Sequence, residues 1–168
     1  MKKLIGVLVI LVLTLVPESC LRQPPSVDDV ESFMKKNWND IVIVNGFLLE
    51  LENSWAILSD DDGLIFIDFV DQRIEDDSVI EAIQSLWKKG CTRISKDNDG
   101  VENENAIKYT IWTRTIGSVA CGFVYAIDHT QPPKVQFQTE LIPLSIEGWY
   151  YYIDNYEEWR RLQHQNND

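Results

Sequence analysis

Two short acidic segments are the first places in this sequence where metal chemistry could occur. Residues 60–63 read Asp-Asp-Asp-Gly and residues 97–100 read Asp-Asn-Asp-Gly, which are oxygen-rich runs ending in glycine. A calcium loop of the EF-hand type has its glycine at the sixth position and carboxylates at the first and last positions. With each glycine placed sixth, the outer positions fall on Leu58 and Phe69 in one segment and on Ser95 and Ala106 in the other. Both segments are therefore predicted to be hairpin turns.

The other side chains that could do chemistry are a thiol, two histidines and abundant carboxylates. Cys121 and His129 form a candidate nucleophile pair, although no recognised signature surrounds them. Glu140 and Asp128 are candidates for carboxylate catalysis, which depends on a separation in space that a sequence does not give. His129 and His164 are the only histidines, so no histidine-based metal motif can form within one chain. No metal site and no cofactor are predicted.

The sequence signatures of common enzymes are absent. The chain contains no glycine-rich phosphate loop, no C-x-x-C pair and no G-x-S-x-G nucleophile motif. The sequence does not indicate an enzyme and does not exclude one. If the chain is an enzyme, the expected class is an envelope hydrolase that uses a carboxylate pair.

The most unusual local composition is the aromatic run at residues 149–152. Trp149 and Tyr151 alternate with Tyr150 and Tyr152, so a strand here would place aromatic rings on both faces of its sheet. Trp and Tyr often anchor protein partners or stack on flat ligands, which makes Trp149, Tyr150 and Tyr152 a candidate binding surface. The alternative is a last strand that closes the core.

The N-terminus carries an export pattern. Lys2 and Lys3 precede residues 4–16, a run of thirteen residues without a charge. A helix of that length is about 20 Å long and falls short of the ~30 Å apolar core of a bilayer. The run is therefore typical of the apolar part of a signal peptide.

The residues that follow the apolar run resemble the lipobox of bacterial lipoproteins. Pro17-Glu18-Ser19-Cys20 places a small residue directly before a cysteine, and the resemblance covers only the first twenty residues. It implies that residues 1–19 are removed and that Cys20 carries the lipid. Pro17 stands where leucine is usual, so an uncleaved N-terminal anchor remains the alternative. Residues 20–25 are predicted to be a tether, because two prolines favour extended chain.

The charge balance limits the partners of the exported part. The chain has a formal charge of −12, and removal of residues 1–19 would take away two lysines and one glutamate and leave −13. Nucleic acids and anionic head groups are polyanions, so no nucleic acid partner is expected. A cationic protein or an envelope ligand is the expected partner, as for an acidic immunity-type protein. The alternative is that acidity only keeps an exposed protein soluble.

Cys91 and Cys121 are the two cysteines outside the export segment. An exported protein permits a disulfide between them, since disulfides persist in oxidising compartments. Both lie next to apolar strand-like segments, so two free buried thiols are an equally weighted interpretation.

Three helices are predicted in the domain. Ser26 and Asp29 form a capping-box pattern before a first amphipathic helix. A second helix over residues 39–52 would be capped by Asn39 or Asp40, although its Ile-Val-Ile-Val run argues equally for a strand. A third has Asp77 as its predicted N-cap and ends before Gly90.

The remaining apolar runs predict an antiparallel sheet. Residues 54–59 and 64–69 should pair as a hairpin, and the connections are too short for parallel crossovers. Lys108 and Thr110 alternate with Ile107 and Tyr109, which indicates one wet and one buried face. Further strands are predicted at residues 91–96, 106–114, 119–127, 135–144 and 149–153.

These patterns together predict one α+β domain over residues 26–168, with an antiparallel sheet of five to seven strands packed against two or three helices. Its expected function is that of a membrane-anchored, extracytoplasmic, non-catalytic binding protein.

Overall fold

The computed structural model describes residues 23–51, 56–58, 64–67, 70–97, 105–114, 118–128, 131–134 and 136–165. Within these residues the chain forms four helices and one antiparallel sheet of eight strands, an α+β architecture. The helices are α1 (Val27–Lys36), α2 (Trp38–Glu50), α3 (Asp77–Lys88) and α4 (Tyr156–Gln165). The strands are β1 (Ala56–Leu58), β2 (Leu64–Ile67), β3 (Val70–Arg73), β4 (Arg93–Asp97), β5 (Ala106–Arg114), β6 (Val119–Ala126), β7 (Gln138–Pro143) and β8 (Trp149–Asn155).

The sheet has the strand order β3-β2-β1-β4-β5-β6-β8-β7. The prediction of an α+β antiparallel fold is confirmed, but the predicted number of strands was too low. The unpredicted strand is β3, whose Val-Asp-Gln-Arg sequence is exposed at all four positions. An edge strand with no buried face lacks the alternation of apolar and polar residues by which strands are recognised.

Helix α1 begins as the sequence predicts. The Ser26 hydroxyl accepts a hydrogen bond from the Asp29 N–H at 3.2 Å, and the Asp29 carboxylate accepts one from the Ser26 N–H at 3.0 Å. This capping box satisfies donors that the first turn of a helix leaves open. Val30 and Met34 are the side chains of α1 that become fully buried.

Helix α2 follows after a single residue and settles the ambiguous Ile-Val-Ile-Val run as helix. Asn37 ends α1 and begins α2, and its side chain makes no cap hydrogen bond to α2, so the caps predicted at Asn39 and Asp40 were wrong. Ile41, Val44 and Leu48 lie at helical spacing and are completely buried. This burial decides for the helix, since packing of a buried face outweighs the weak β preference of Ile and Val.

Helix α3 has the predicted face and ends before Gly90, but it starts one residue earlier than predicted. The N-cap is Asp76, whose carboxylate accepts a hydrogen bond from the Ser78 N–H at 2.8 Å. After the last turn Gly90 adopts a φ of +107°, a conformation that side chains disfavour. The sequence Asp76-Asp77 offers two equivalent caps, and only the structure distinguishes them.

One side of the sheet packs against α1, α2 and α3 to form the main core. At its centre the rings of Phe33 and Phe123 have centroids 6.0 Å apart. The ring of Tyr109 stacks on that of Phe123 with a centroid distance of 4.8 Å. The buried Lys96 also points to this side, where its ammonium donates to the Leu51 carbonyl at the end of α2. That bond satisfies an open carbonyl group beyond the last turn of α2.

The alternation in β5 predicted that the opposite side of the sheet faces solvent, but part of that side is buried. Ala106, Val124 and Tyr152 form a second, smaller buried cluster there. Thr110, predicted to face solvent, is only 3% exposed and shares a 2.7 Å hydrogen bond with the Tyr152 hydroxyl. The large ring of Tyr152 thus covers polar positions that the sequence pattern assigned to solvent.

The strand predicted over residues 135–144 is shorter in the structure. Strand β7 begins at Gln138, because Phe137 has a φ of +58° and lies in a turn. The Phe137 ring packs edge-on against Tyr156 at 4.9 Å and against Trp159 at 5.2 Å. These contacts attach α4 to the sheet, so the apparent alternation around Phe137 reflects an aromatic anchor for the last helix.

Candidate functional site

Helix α2 exposes an apolar surface, which is the most unusual feature of the described surface. At 100° per residue, six positions share the side that points away from the sheet, and all six are exposed. We call this surface the outward face; its residues are Asn39, Val42, Ile43, Gly46, Leu49 and Glu50. Three of the six carry large apolar side chains, and the glycine lies at the centre.

The exposure of these side chains is substantial. Val42 is 49% exposed, Ile43 39% and Leu49 37%. A Cβ atom added at Gly46 would meet no other atom within 4 Å, so the middle of the face is open. A helix that is apolar on all sides is typically buried on all sides, and exposed apolar patches commonly mark interaction sites. The outward face thus has the composition of a surface that another molecule covers.

Lysines surround the N-terminal end of α2. We call this set the lysine end; it consists of Lys35, Lys36, Lys88 and Lys89, from the last turns of α1 and α3. A shallow groove at this end is lined by Asp29, Ser32, Phe33, Lys36, Asn37 and Lys89. The cationic side chains are concentrated here although the whole chain is strongly acidic.

Asp40 connects the first turn of α2 to the last turn of α3. Its carboxylate accepts hydrogen bonds from the Lys89 ammonium at 2.9 Å and from the Ser85 hydroxyl at 2.8 Å. Partial burial opposes the charge of Asp40, but these two hydrogen bonds outweigh it and lower the pKa of the carboxyl. The predicted cap residue is therefore a link between helices.

The same link fixes the relative direction of α2 and α3. Since the start of α2 lies beside the end of α3, and the two helices pack along their length, they run antiparallel. The start of α3 then lies towards the end of α2, where we define an acidic end consisting of Glu50, Glu75, Asp76 and Asp77. The outward face thus lies between a lysine end and an acidic end, separated by about 20 Å over a thirteen-residue helix.

Two of the three aromatic side chains of the candidate binding surface in β8 are buried. Trp149 is 4% exposed and Tyr152 is fully buried, and only Tyr150 is partly open. Trp149 contacts the ring of Trp38 at 5.8 Å and that of Tyr125 at 5.0 Å in the main core. The alternative interpretation, a strand that closes the core, agrees with these positions.

An ion pair that the sequence did not predict lies on the side of the sheet opposite α1, α2 and α3. Lys108 forms an ion pair with Asp154, and its ammonium lies 4.7 Å from the centre of the Tyr152 ring. Both charged side chains are less than one-fifth exposed. Their pairing and the ring contact offset the cost of burying charge, which is a structural role.

Cys91 and Cys121 are free, buried thiols in this structure rather than a disulfide. The Cys91 thiol donates weakly to the Arg93 carbonyl and the Cys121 thiol to the Pro25 carbonyl. Burial raises the pKa of Cys91 to about 12 and that of Cys121 to about 11. A thiol is a nucleophile only as the thiolate, so neither is activated at neutral pH.

The predicted carboxylates do not meet. Strand pairing places Glu140 level with Ile153 and Cys121, near the start of β6. Asp128 follows the other end of β6, seven residues from Cys121 and so roughly 23 Å away along the strand. Glycosidase carboxylate pairs are separated by less than about 10 Å, so these two cannot act as one.

Other predicted positions lie outside the described residues, namely Cys20, His129 and most of the two acidic turns. His164 is exposed near the end of α4. Within the described ranges, no group of three or more His, Cys, Asp or Glu side chains could hold a metal ion. Among the helices described, none has both the length and the apolar character needed to cross a membrane.

Comparisons with protein-family models, curated proteins and solved structures find no match for this chain. The local geometry described above is accordingly the basis for a functional assignment.

The outward face of α2 was missed at the sequence level, although a signal for it was present. The run that made α2 ambiguous, Ile-Val-Ile-Val, places apolar residues on both sides of a helix once the helix is chosen. The core face of the helix is filled by Ile41, Val44 and Leu48. The apolar character of Val42, Ile43 and Leu49 is then not explained by the core. An apolar residue remaining after the core face is filled is the signal that predicts such a surface.

Proposed function

We propose that this chain is an exported, lipid-anchored acidic protein that acts as a non-catalytic binding module, with the outward face of α2 as its binding surface. The observation that carries the proposal is the exposure of Val42, Ile43 and Leu49 around the open Gly46. Full burial of a completely exposed side chain of this kind supplies roughly 1.5–3 kcal/mol, and because these three are 37–49% exposed, covering them adds less than half of that, about 0.5–1.5 kcal/mol each. This is enough to contribute strongly to binding.

The membrane address is supported by the sequence of residues 1–20. A basic start, an apolar run and the Pro17-Glu18-Ser19-Cys20 segment favour export followed by lipid attachment at Cys20. Pro24 and Pro25 lead directly into α1, and the Pro25 carbonyl accepts a hydrogen bond from the Tyr151 hydroxyl at 3.0 Å. Pro25 is the fifth residue after Cys20, so the domain would lie within about 17 Å of the membrane.

Metabolic labelling with a radiolabelled fatty acid tests the anchor. We expect label on the wild-type chain and none on the Cys20→Ala variant. Equal label on both chains, or none on the wild type, would contradict lipid attachment at Cys20.

Site-specific photo-crosslinking tests the binding surface in cells. A benzophenone amino acid is placed at Ile43 or Leu49, and a matched control at Glu157, which is exposed on α4. We expect discrete adducts at Ile43 and Leu49 and none of the same mass at Glu157, because only the outward face is covered. Absence of adducts, or the same adducts at all three positions, would refute binding through this face.

A cationic partner is the second candidate, and the acidic end of α2 and α3 favours it. Four exposed or cap carboxylates lie at this end, and the whole chain is strongly acidic. Complementary charge speeds association and selects partners more than it adds affinity. Adducts that contain a basic protein, and that are weakened by Glu75→Lys, would identify this class of partner.

A further inference from the structure

We infer that the partner of the outward face is a second copy of this chain, bound through an antiparallel contact of the two α2 helices that crosses at Gly46. This inference rests on the proposed binding surface and names its occupant. It follows from the symmetry of the face and from the distribution of charge at its two ends.

The apolar residues are arranged symmetrically about Gly46. Val42 and Ile43 lie one turn before it, while Leu49 lies one turn after it. A two-fold axis through Gly46, perpendicular to α2, brings the first pair of one copy onto the Leu49 turn of the other. The same patch then contacts itself twice, as a two-fold interface requires.

Gly46 makes close approach of the helices feasible. It lies in the interior of a helix, where glycine costs about 1 kcal/mol relative to alanine. Nothing in the described monomer requires the missing side chain, since the space above it is open. At a helix crossing, a residue without a side chain lets the two backbones come closer, and the distance between helix axes depends on the side chains at the contact.

The charges at the two ends select the antiparallel direction. In that arrangement the lysine end of each copy lies against the acidic end of the other. Because the Asp40 carboxylate contacts both Ser85 and Lys89, Gly46 is level with the middle of α3, and Lys88 and Glu75 then lie about 10 Å from the axis on opposite sides. Lys35 is paired with Glu31 and Lys89 with Asp40, so a parallel pair would place the remaining Lys36 and Lys88 against their own copies and acidic residues against acidic residues. Like charges brought together at an interface disfavour that pairing.

Anchoring would promote this contact. Two chains held to one membrane by their lipids meet at a raised effective concentration, so a modest interface is sufficient. A two-fold axis also places both tethers at the same height along the axis, which permits both anchors to enter one membrane.

Disulfide crosslinking of the full chain in its own membrane tests the arrangement. Oxidation of Gly46→Cys should give a covalent dimer, and so should coexpressed Val42→Cys and Leu49→Cys chains. Val42→Cys alone should crosslink at least fivefold less, because its two copies lie about 12 Å apart along the axis. Wild type and Asp71→Cys, exposed on β3, are the controls.

Charge reversal provides a second readout that does not depend on the added cysteine geometry. In the Gly46→Cys background, Lys88→Glu or Glu75→Lys should lower the crosslinked fraction at least threefold, and the two together should restore it. Equal crosslinking of Val42→Cys alone, or no dimer at any α2 position, would overturn the antiparallel contact. If photo-crosslinks from Ile43 contain only a different protein, the binding face stands and self-association fails.

Discussion

Two glycines show how one residue type serves opposite purposes in this molecule. Gly46 lies in open space on a helix, whereas a Cβ atom added at Gly122 would lie 1.9 Å from the Tyr109 carbonyl oxygen. Gly122 is required by the close approach of β5 and β6. Gly46 has no such role within the described chain, and the proposed contact between two α2 helices would account for it.

Alanine substitutions should therefore have effects of opposite sign. Gly46→Ala should raise the free energy of unfolding by about 1 kcal/mol, because alanine is the better helix former and meets no neighbour. Gly122→Ala should lower it by about 3 kcal/mol or prevent folding, because backbone atoms must move. Urea unfolding at a concentration where the protein is monomeric measures both. A loss of stability in Gly46→Ala would contradict the open geometry of the face.

The thiols should be inert in the folded protein. With pKa values raised by burial to about 12 for Cys91 and about 11 for Cys121, the thiolate fraction at pH 8 is small and access is limited. In the Cys20→Ala variant, a chromogenic disulfide reagent should release almost nothing from native protein and two equivalents after denaturation. No release after denaturation without a reductant would indicate a Cys91–Cys121 disulfide, and rapid release from native protein would indicate exposed thiols.

At the scale of elements, the start of α3 provides a matched pair of adjacent aspartates. Asp76→Ala should destabilise the protein by about 1 kcal/mol, because it removes the hydrogen bond accepted from the Ser78 N–H. Asp77→Ala should change stability by less than about 0.5 kcal/mol, since its exposed side chain lacks the cap role. Thermal or urea unfolding of both variants measures the two effects. A larger loss of stability in Asp77→Ala would show that Asp77, the residue predicted from the sequence, is the N-cap.

The same comparison shows what local sequence determines. Capping chemistry and apolar spacing were sufficient to predict α1, α3 and the α+β fold, because these signals act within a few residues. Strand β3 was not predictable, since its four residues are all exposed and only pairing with β2 makes them a strand. The start of β7 was shifted because the left-handed Phe137 follows from its contacts with α4.

The surroundings of the candidate site residues also depend on tertiary structure. The aromatic residues of β8 suggested a binding surface, but burial against Trp38 and Tyr125 is a tertiary fact. The outward face of α2 requires knowledge of which side of the helix meets the sheet. Only after Ile41, Val44 and Leu48 are assigned to the core do the remaining apolar residues stand out.

At the scale of the whole molecule, charge and apolar surface are distributed unevenly. The chain is acidic overall, yet its helical layer has a lysine end, and the exposed apolar residues of α2 lie between that end and an acidic one. A purely solubilising surface would have charges of both signs interspersed and no such apolar face. The distribution favours a protein that binds through its helical layer.

The most direct test of this account is labelling of substituted cysteines with a membrane-impermeant maleimide on spheroplasts. Ile43→Cys is compared with Glu157→Cys, both at exposed helix positions of the described chain. The account predicts that Glu157→Cys is labelled on intact spheroplasts, because the domain is exported, and that Ile43→Cys is labelled only after denaturation, because the outward face is covered. Equal labelling of both cysteines without denaturation would contradict a covered binding face, and labelling of neither until the membrane is broken would contradict export.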